Sequence, residues 1–179
     1  GSTFAPSLAG LYVHHLETNK ILHPSNPYRL QIREWKRYID DVFMVWRGEK
    51  GRALEFVEWL NAQDRFLKFT STISKMEMVF LDLDIRVSDK RLISNTHTKP
   101  TARNCLLDYT SFHPRHRRDN LPSGQFLRLR RNCSEIADFK EQSNNLSEKF
   151  RVRNYPEKTI SRARKRARNN NRAALLEEV

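Results

Sequence analysis

Apolar and polar positions along the chain change period several times. From Phe4 to Leu22, Leu8, Leu11, Tyr12 and Leu16 recur at three- and four-residue steps, joined by His15 and Asn19. That spacing predicts a helix, with Pro6 suited to its first turn. Gly10 inside it costs about 1 kcal/mol relative to alanine, which points to a close approach to the backbone or to plain helix packing. Residues 23–28, with two prolines, read as a loop. Residues 35–39 and 42–46 are rich in aromatic and β-branched side chains and predict two strands. Residues 52–62 predict a short amphipathic helix, with Leu54, Val57 and Leu60 or Phe56 and Trp59 inward.

Two further strands are expected over 66–73 and 78–87. In the second, Leu81, Leu83, Ile85 and Val87 share one face and Asp82, Asp84 and Arg86 the other. Ser-Asp-Lys-Arg (88–91) turns the chain. Residues 99–125 hold three prolines and read as a long connection. From Gln125 the pattern is helical. Ser134 is a candidate cap for a helix carrying Ile136, Phe139, Leu146 and Phe150, and Pro156 can open another that is basic almost all round. The expected class is α+β, with a boundary near residues 98 and 99. No internal repeat is visible.

Charge changes this picture. The 179 residues carry a net charge of +12. Residues 1–100 hold 15 Lys and Arg against 12 Asp and Glu, a net of +3; residues 101–179 hold 18 against 9, a net of +9. So basic a second half points to a polyanionic partner, nucleic acid first among them. The two cysteines, Cys105 and Cys133, make no disulfide framework, which reads as intracellular. No apolar run reaches the roughly 18–20 residues of a membrane span, and no signal peptide is visible.

The chemistry concentrates in Trp35–Trp46. Asp40 and Asp41 stand together between two apolar strands. Two-residue hairpin turns favour glycine-containing pairs, because they need positive φ, so this turn is strained. Adjacent carboxylates repel unless a cation lies between them. A strained acidic tip fits a metal site, since Mg²⁺ takes one or two carboxylates plus substrate phosphates. A polar turn is the plainer reading.

Tyr38-Ile39-Asp40-Asp41 matches the YxDD motif of reverse transcriptases. Residues 1–12 resemble the preceding motif of that family, and Val79–Ile85 resembles the strand that grips the primer end. Thr98–His116 and Gly124–Phe139 resemble the region after the palm in Penelope-like retroelement polymerases. The resemblance covers nearly the whole chain, in the right order. It implies a fragment of an RNA-directed DNA polymerase, the second half of a palm over 1–98 and a basic connection with a helical thumb over 99–179. Asp40, ahead of Asp41, would hold Mg²⁺ in a two-metal site, and Tyr38 would sit near the primer end or nucleotide. Phe80 and Leu81 would lie in the primer grip. The partners implied are an RNA/DNA template–primer duplex and deoxynucleoside triphosphates. The family also uses an aspartate on an earlier strand and a fingers region, neither of which is seen before residue 1. The chain alone is therefore expected to be inactive.

Other constellations compete. Arg115, Arg117 and Arg118, with Arg128, Arg130 and Arg131, read as phosphate contacts or as a solvated face. Residues 162–168, including Lys165, fit a nucleic-acid contact, a nuclear localisation patch or a polar helix face. A nuclear location is the expectation. Asp82 and Asp84 would suit a nuclease metal site, but strand alternation also explains them. Cys105, His113, His116 and Cys133 fit no compact zinc pattern. The runner-up function is a catalytically silent nucleic-acid-binding module derived from such an element.

Overall fold

The computed structural model describes residues 3–99, 101 and 103–177. These fall into two compact units, one running to Ile73 and the other starting at Ser74. The class is α+β: among the described residues there are two small antiparallel sheets and six α-helices. No helix among them is long and apolar enough to cross a membrane.

In the first unit, α1 spans Ala5–Leu16, with Pro6 in its first turn, and runs into a π-helical turn over Glu17–Ile21. Of the predicted apolar stripe only Leu16 is buried; Leu8, Leu11 and Tyr12 are exposed. A Cβ at Gly10 would meet open space among the described residues, so crowding does not call for glycine there; what approaches the Gly10 backbone is Arg37, whose Nη2 donates to its carbonyl at 3.5 Å. Strands β1 (Ile32–Tyr38) and β2 (Asp41–Trp46) form an antiparallel hairpin, and α2 covers Lys50–Ala62. One core is made by Leu16, Ile21, Tyr28, Ile32, Phe56 and Leu60. Phe56 is its hub: its ring stacks on Trp46 at 5.4 Å and meets the edge of Tyr28 at 5.6 Å. Trp59 lies 6.0 Å away and Trp35 6.4 Å. Losing that ring would cost roughly 3–5 kcal/mol.

The strand expected over 66–73 does not form. A strand needs a partner for its backbone, and here a side chain takes that part. The Asn61 carboxamide donates to the Phe69 carbonyl at 2.9 Å and accepts from the Phe69 amide at 2.6 Å.

In the second unit, β3 (Glu77–Phe80), β4 (Leu83–Ser88) and β5 (Arg91–Thr96) form a meander. The single strand expected over 78–87 is thus two strands, folded back at Leu81–Asp82 with Phe80 opposite Leu83. Asp82 lies in that turn, not on a strand face with Asp84. The Asp89–Lys90 turn has positive φ at both residues, as a type I′ hairpin turn requires.

Four helices follow: α3 (Arg115–Asn132), α4 (Ile136–Arg151), α5 (Glu157–Asn169) and α6 (Arg172–Glu177). The long connection expected to reach residue 125 ends at Pro114, because Pro122 sits inside α3, buried, instead of breaking it. The Ser134 hydroxyl does not cap α4. It accepts from the Ser94 amide at 3.0 Å, while the Ser134 amide donates to the Ser94 carbonyl at 2.8 Å, tying β5 to the α3–α4 corner. The helical core gathers Phe126, Leu129, Cys133, Phe139, Phe150 and Tyr155. Helix α5 is not basic all round. Ile160, Ala163 and Ala167 make a buried stripe on the same core. The compact second unit therefore includes the meander as well as the helices, whereas the sequence boundary fell at 98/99.

Candidate nucleic-acid interface and acidic hairpin tip

In the first unit the site is the tip of the β1–β2 hairpin. Tyr38 pairs with Asp41 across the ladder, so the loop is Ile39–Asp40. The positive φ falls on Ile39, at 57°. An isoleucine there is unfavourable by about 1–2 kcal/mol, so the turn is strained, one residue earlier than the aspartate pair. Tyr38, Ile39, Asp40 and Asp41 are all exposed, and neither carboxylate has a side-chain partner among the described residues.

A partly buried ion pair holds this tip. Glu17, in the π turn, accepts from Arg37 Nε at 2.8 Å, from Arg37 Nη2 at 3.2 Å and from the Trp35 indole at 2.9 Å. The other Arg37 nitrogen, Nη1, donates to the Ile39 carbonyl at 3.1 Å. Burial alone would raise the Glu17 carboxyl, but the hydrogen bonds from Arg37 and Trp35 outweigh it and hold it below the usual range. Neither Glu17 nor Arg37 stood out in the sequence. The signal available was period-two spacing, which places Trp35 and Arg37 on one strand face.

Asp40 and Asp41 fit a divalent ion as far as they go. They are exposed carboxylates without internal partners, but among the described residues no group of three or more ligating side chains surrounds them. Mg²⁺ needs six ligands, so water, substrate phosphate or a further carboxylate must supply the rest.

In the second unit the basic residues divide into two sets. Arg118 donates to the Tyr109 carbonyl and lies over the Tyr109 ring at 5.1 Å. Arg128 pairs with Asp82. Arg130 donates to the Asn170 carbonyl at 3.3 Å, and Arg131 to that of Leu175 at 3.0 Å. Arg115 is exposed, 3.5 Å from Asp119, and Arg117 is exposed without a side-chain partner among the described residues. On α5, Arg164 donates to Asn144 at 2.6 Å. Arg162, Lys165, Arg166 and Arg168 are exposed and have no side-chain partner among the described residues. Most of α3's guanidinium groups therefore hold the fold, while α5 turns five cations to solvent, these four and Lys158.

Phe80 ends β3 half-buried, and Leu81 is exposed with φ of 54°. Asp84 accepts from His97 Nδ1 at 2.9 Å, so both Asp82 and Asp84 are engaged with cationic or imidazole partners. Cys105 is exposed and Cys133 buried, and burial pushes the Cys133 thiol up.

Residues 105–165, from the segment before α3 into α5, match the family described as the Animal helix-turn-helix domain. No curated protein and no solved structure matches the chain.

Proposed function

We propose that this chain supplies the metal-bearing hairpin and the nucleic-acid-binding helices of an RNA-directed DNA polymerase of reverse-transcriptase type. One observation carries the reading: Tyr38-Ile39-Asp40-Asp41 forms the tip of an antiparallel hairpin whose carboxylates are exposed and without internal partners. Asp40 and Asp41 would hold Mg²⁺, and Tyr38 would lie beside the primer end. When bound, the ions supply Lewis-acid activation of the attacking hydroxyl and stabilisation of the leaving oxygen. The protein's own task is to present two carboxylates on a tip that the Glu17–Arg37 pair holds still. Phe80 and Leu81 would meet the primer strand.

Primer extension with Mg²⁺ or Mn²⁺ tests this. The isolated chain should give no product, because one adjacent pair of carboxylates fills too few coordination positions. The chain joined to a strand bearing a further aspartate, and to a fingers region, should give product. Extension by the isolated chain that Asp40→Asn abolishes would overturn the claim that a further carboxylate is required.

A second reading is a nucleic-acid-binding module without catalysis. It is supported by the helix-turn-helix similarity over 105–165 and by the cationic face of α5. Both readings share phosphate binding with little sequence preference. Four neutralised phosphates on B-form DNA give a slope of log K against log salt near −3.6. Replacing Arg162, Lys165, Arg166 and Arg168 with glutamine should abolish most of that slope. Tight duplex binding without any extension product, even in the joined chain, would favour this second reading.

A further inference from the structure

A cleft of about 300 Å³ lies in the second unit, between the segment after β5, α3 and α4. Its apolar lining comes from Leu106, Leu129 and Leu146. Four carboxamides line it; Asn104 is spent on the Lys149 carbonyl and the Leu106 amide, while Gln125, Gln142 and Asn145 have no side-chain hydrogen-bond partner among the described residues. Two cations, Arg103 and Lys149, also line it, and their charged groups have no acidic partner among the described residues.

The nearby carboxylates are all engaged: Asp82 with Arg128, Asp84 with His97 and Glu148 with Arg151. The cleft therefore offers apolar contact, three carboxamides free of protein partners among the described residues, and net positive charge. A carboxamide presents a donor and an acceptor side by side, which is the complement of a nucleobase edge. Unpaired bases are read this way, on edges that a duplex hides. Two cations lining the same cleft suit a phosphate. The volume is at the small end for ligand sites and is enough for one nucleotide.

We infer that this cleft binds a single unpaired nucleotide, either free or at the end of a strand, through Gln142 and Asn145 on the base and Arg103 and Lys149 on the phosphate. The site is separate from the α5 face and needs neither duplex binding nor catalysis. No Phe, Tyr or Trp lines it and the His97 imidazole is engaged with Asp84, so stacking is limited and affinity for a free nucleotide is modest, with Kd on the order of 0.1–1 mM.

The test uses the whole chain and four probes: AMP, adenosine, inorganic phosphate and a single-stranded decanucleotide. Binding is read in two ways, by calorimetry and by the rate at which maleimide alkylates Cys105, which is exposed and lines the cleft. Buried Cys133 reports any unfolding. At ten times Kd, AMP should slow Cys105 alkylation by about tenfold. Adenosine and phosphate should each bind at least tenfold more weakly. Gln142→Leu combined with Asn145→Leu should weaken AMP at least tenfold and leave the salt-dependent duplex affinity unchanged. The decanucleotide distinguishes the sources: binding tenfold tighter than AMP, in competition with it, indicates a strand end, and equal binding indicates the free nucleotide. Phosphate binding as tightly as AMP, or no protection of Cys105 by saturating AMP, would overturn the inference. Loss of duplex binding in the wild-type chain would instead count against the function proposed above, and the AMP measurement would stand.

Discussion

Tyr38-Ile39-Asp40-Asp41 and Phe80-Leu81-Asp82-Leu83 follow one order: an aromatic strand end, an aliphatic residue at positive φ, an aspartate, and a return to strand. Their φ values are 57° and 54°. What differs is how each turn is held. At the second, the aspartate itself does the holding: its side chain pairs with Arg128, and its carbonyl accepts from the His97 amide at 2.8 Å. At the first, the anchor is the carbonyl of Ile39, gripped by Arg37 and through it by Glu17. Asp40 plays no part in its own support. The same local grammar thus makes one acidic turn that is a structural corner and one whose carboxylates remain free for a ligand.

The largest expected effect separates the two aspartates by function. In an active polymerase carrying these residues, Asp40→Asn should lower primer extension by about 10³-fold or more, because the metal loses a ligand. Asp82→Asn should leave extension within about threefold, since its half-exposed ion pair is worth at most about 1 kcal/mol. Equal losses would erase the distinction.

Next comes the anchor. Glu17→Gln leaves the Arg37 charge poorly compensated in a site where the two side chains are 10% and 19% exposed. It should destabilise the first unit by about 2–3 kcal/mol. Trp35, Trp46 and Trp59 are the chain's three tryptophans and all lie in that unit, so their fluorescence during urea unfolding reads it alone. The pH dependence has a fixed sign. Glu17's carboxyl is depressed in the folded state, so its contribution is present above the ordinary glutamate range and is lost as pH falls through the folded value. The gap between wild type and Glu17→Gln should therefore narrow on acidification. A gap that widens would show that the pair does not hold the tip.

The smallest effect concerns strain. Ile39→Gly relieves positive φ at an exposed position and should stabilise the first unit by about 0.5–1 kcal/mol after the extra unfolded-state entropy of glycine. Leu81→Gly should gain less, because Leu81 is only 40% exposed and loses some packing. If Ile39→Gly destabilises, the turn is held by contacts of the isoleucine side chain and not merely tolerated.

Much of this was legible in the sequence, and the gaps have physical causes. The β1–β2 hairpin and the acidic tip could be read because a dense run of aromatic and β-branched residues brackets a polar pair. The second turn, at Leu81–Asp82, was hidden because leucine is not a turn residue and the alternation of apolar and acidic positions continues straight through it. The order already seen at Tyr38–Asp41 was the one cue to it. The start of α3 was hidden by Pro122, which the surrounding core tolerates inside the helix. The inward stripe of α5 was hidden because Ala163 and Ala167 carry little hydrophobic signal beside so many arginines. The Glu17–Arg37 pair could not be read, since nothing local brings a helical glutamate to a strand arginine twenty positions later. Nor could the carboxamide cleft, whose members come from three separate segments.

The narrow stripe of α5 has a consequence for how the molecule can change over generations. Only Ile160, Ala163 and Ala167 are needed inward, and two of those are among the smallest residues. Of the rest, Glu157 pairs with Arg151 and Arg164 donates to Asn144, and the exposed cations answer to no core. Substitutions there can raise, lower or redistribute the helix's charge with little penalty to folding, so affinity for a polyanion is free to drift under selection while the scaffold stays fixed. Arg118, Arg128, Arg130 and Arg131 of α3 lack that liberty, because exchanging any of them breaks a bond that the fold uses. Variation among descendants of this chain should accumulate on α5 and spare α3.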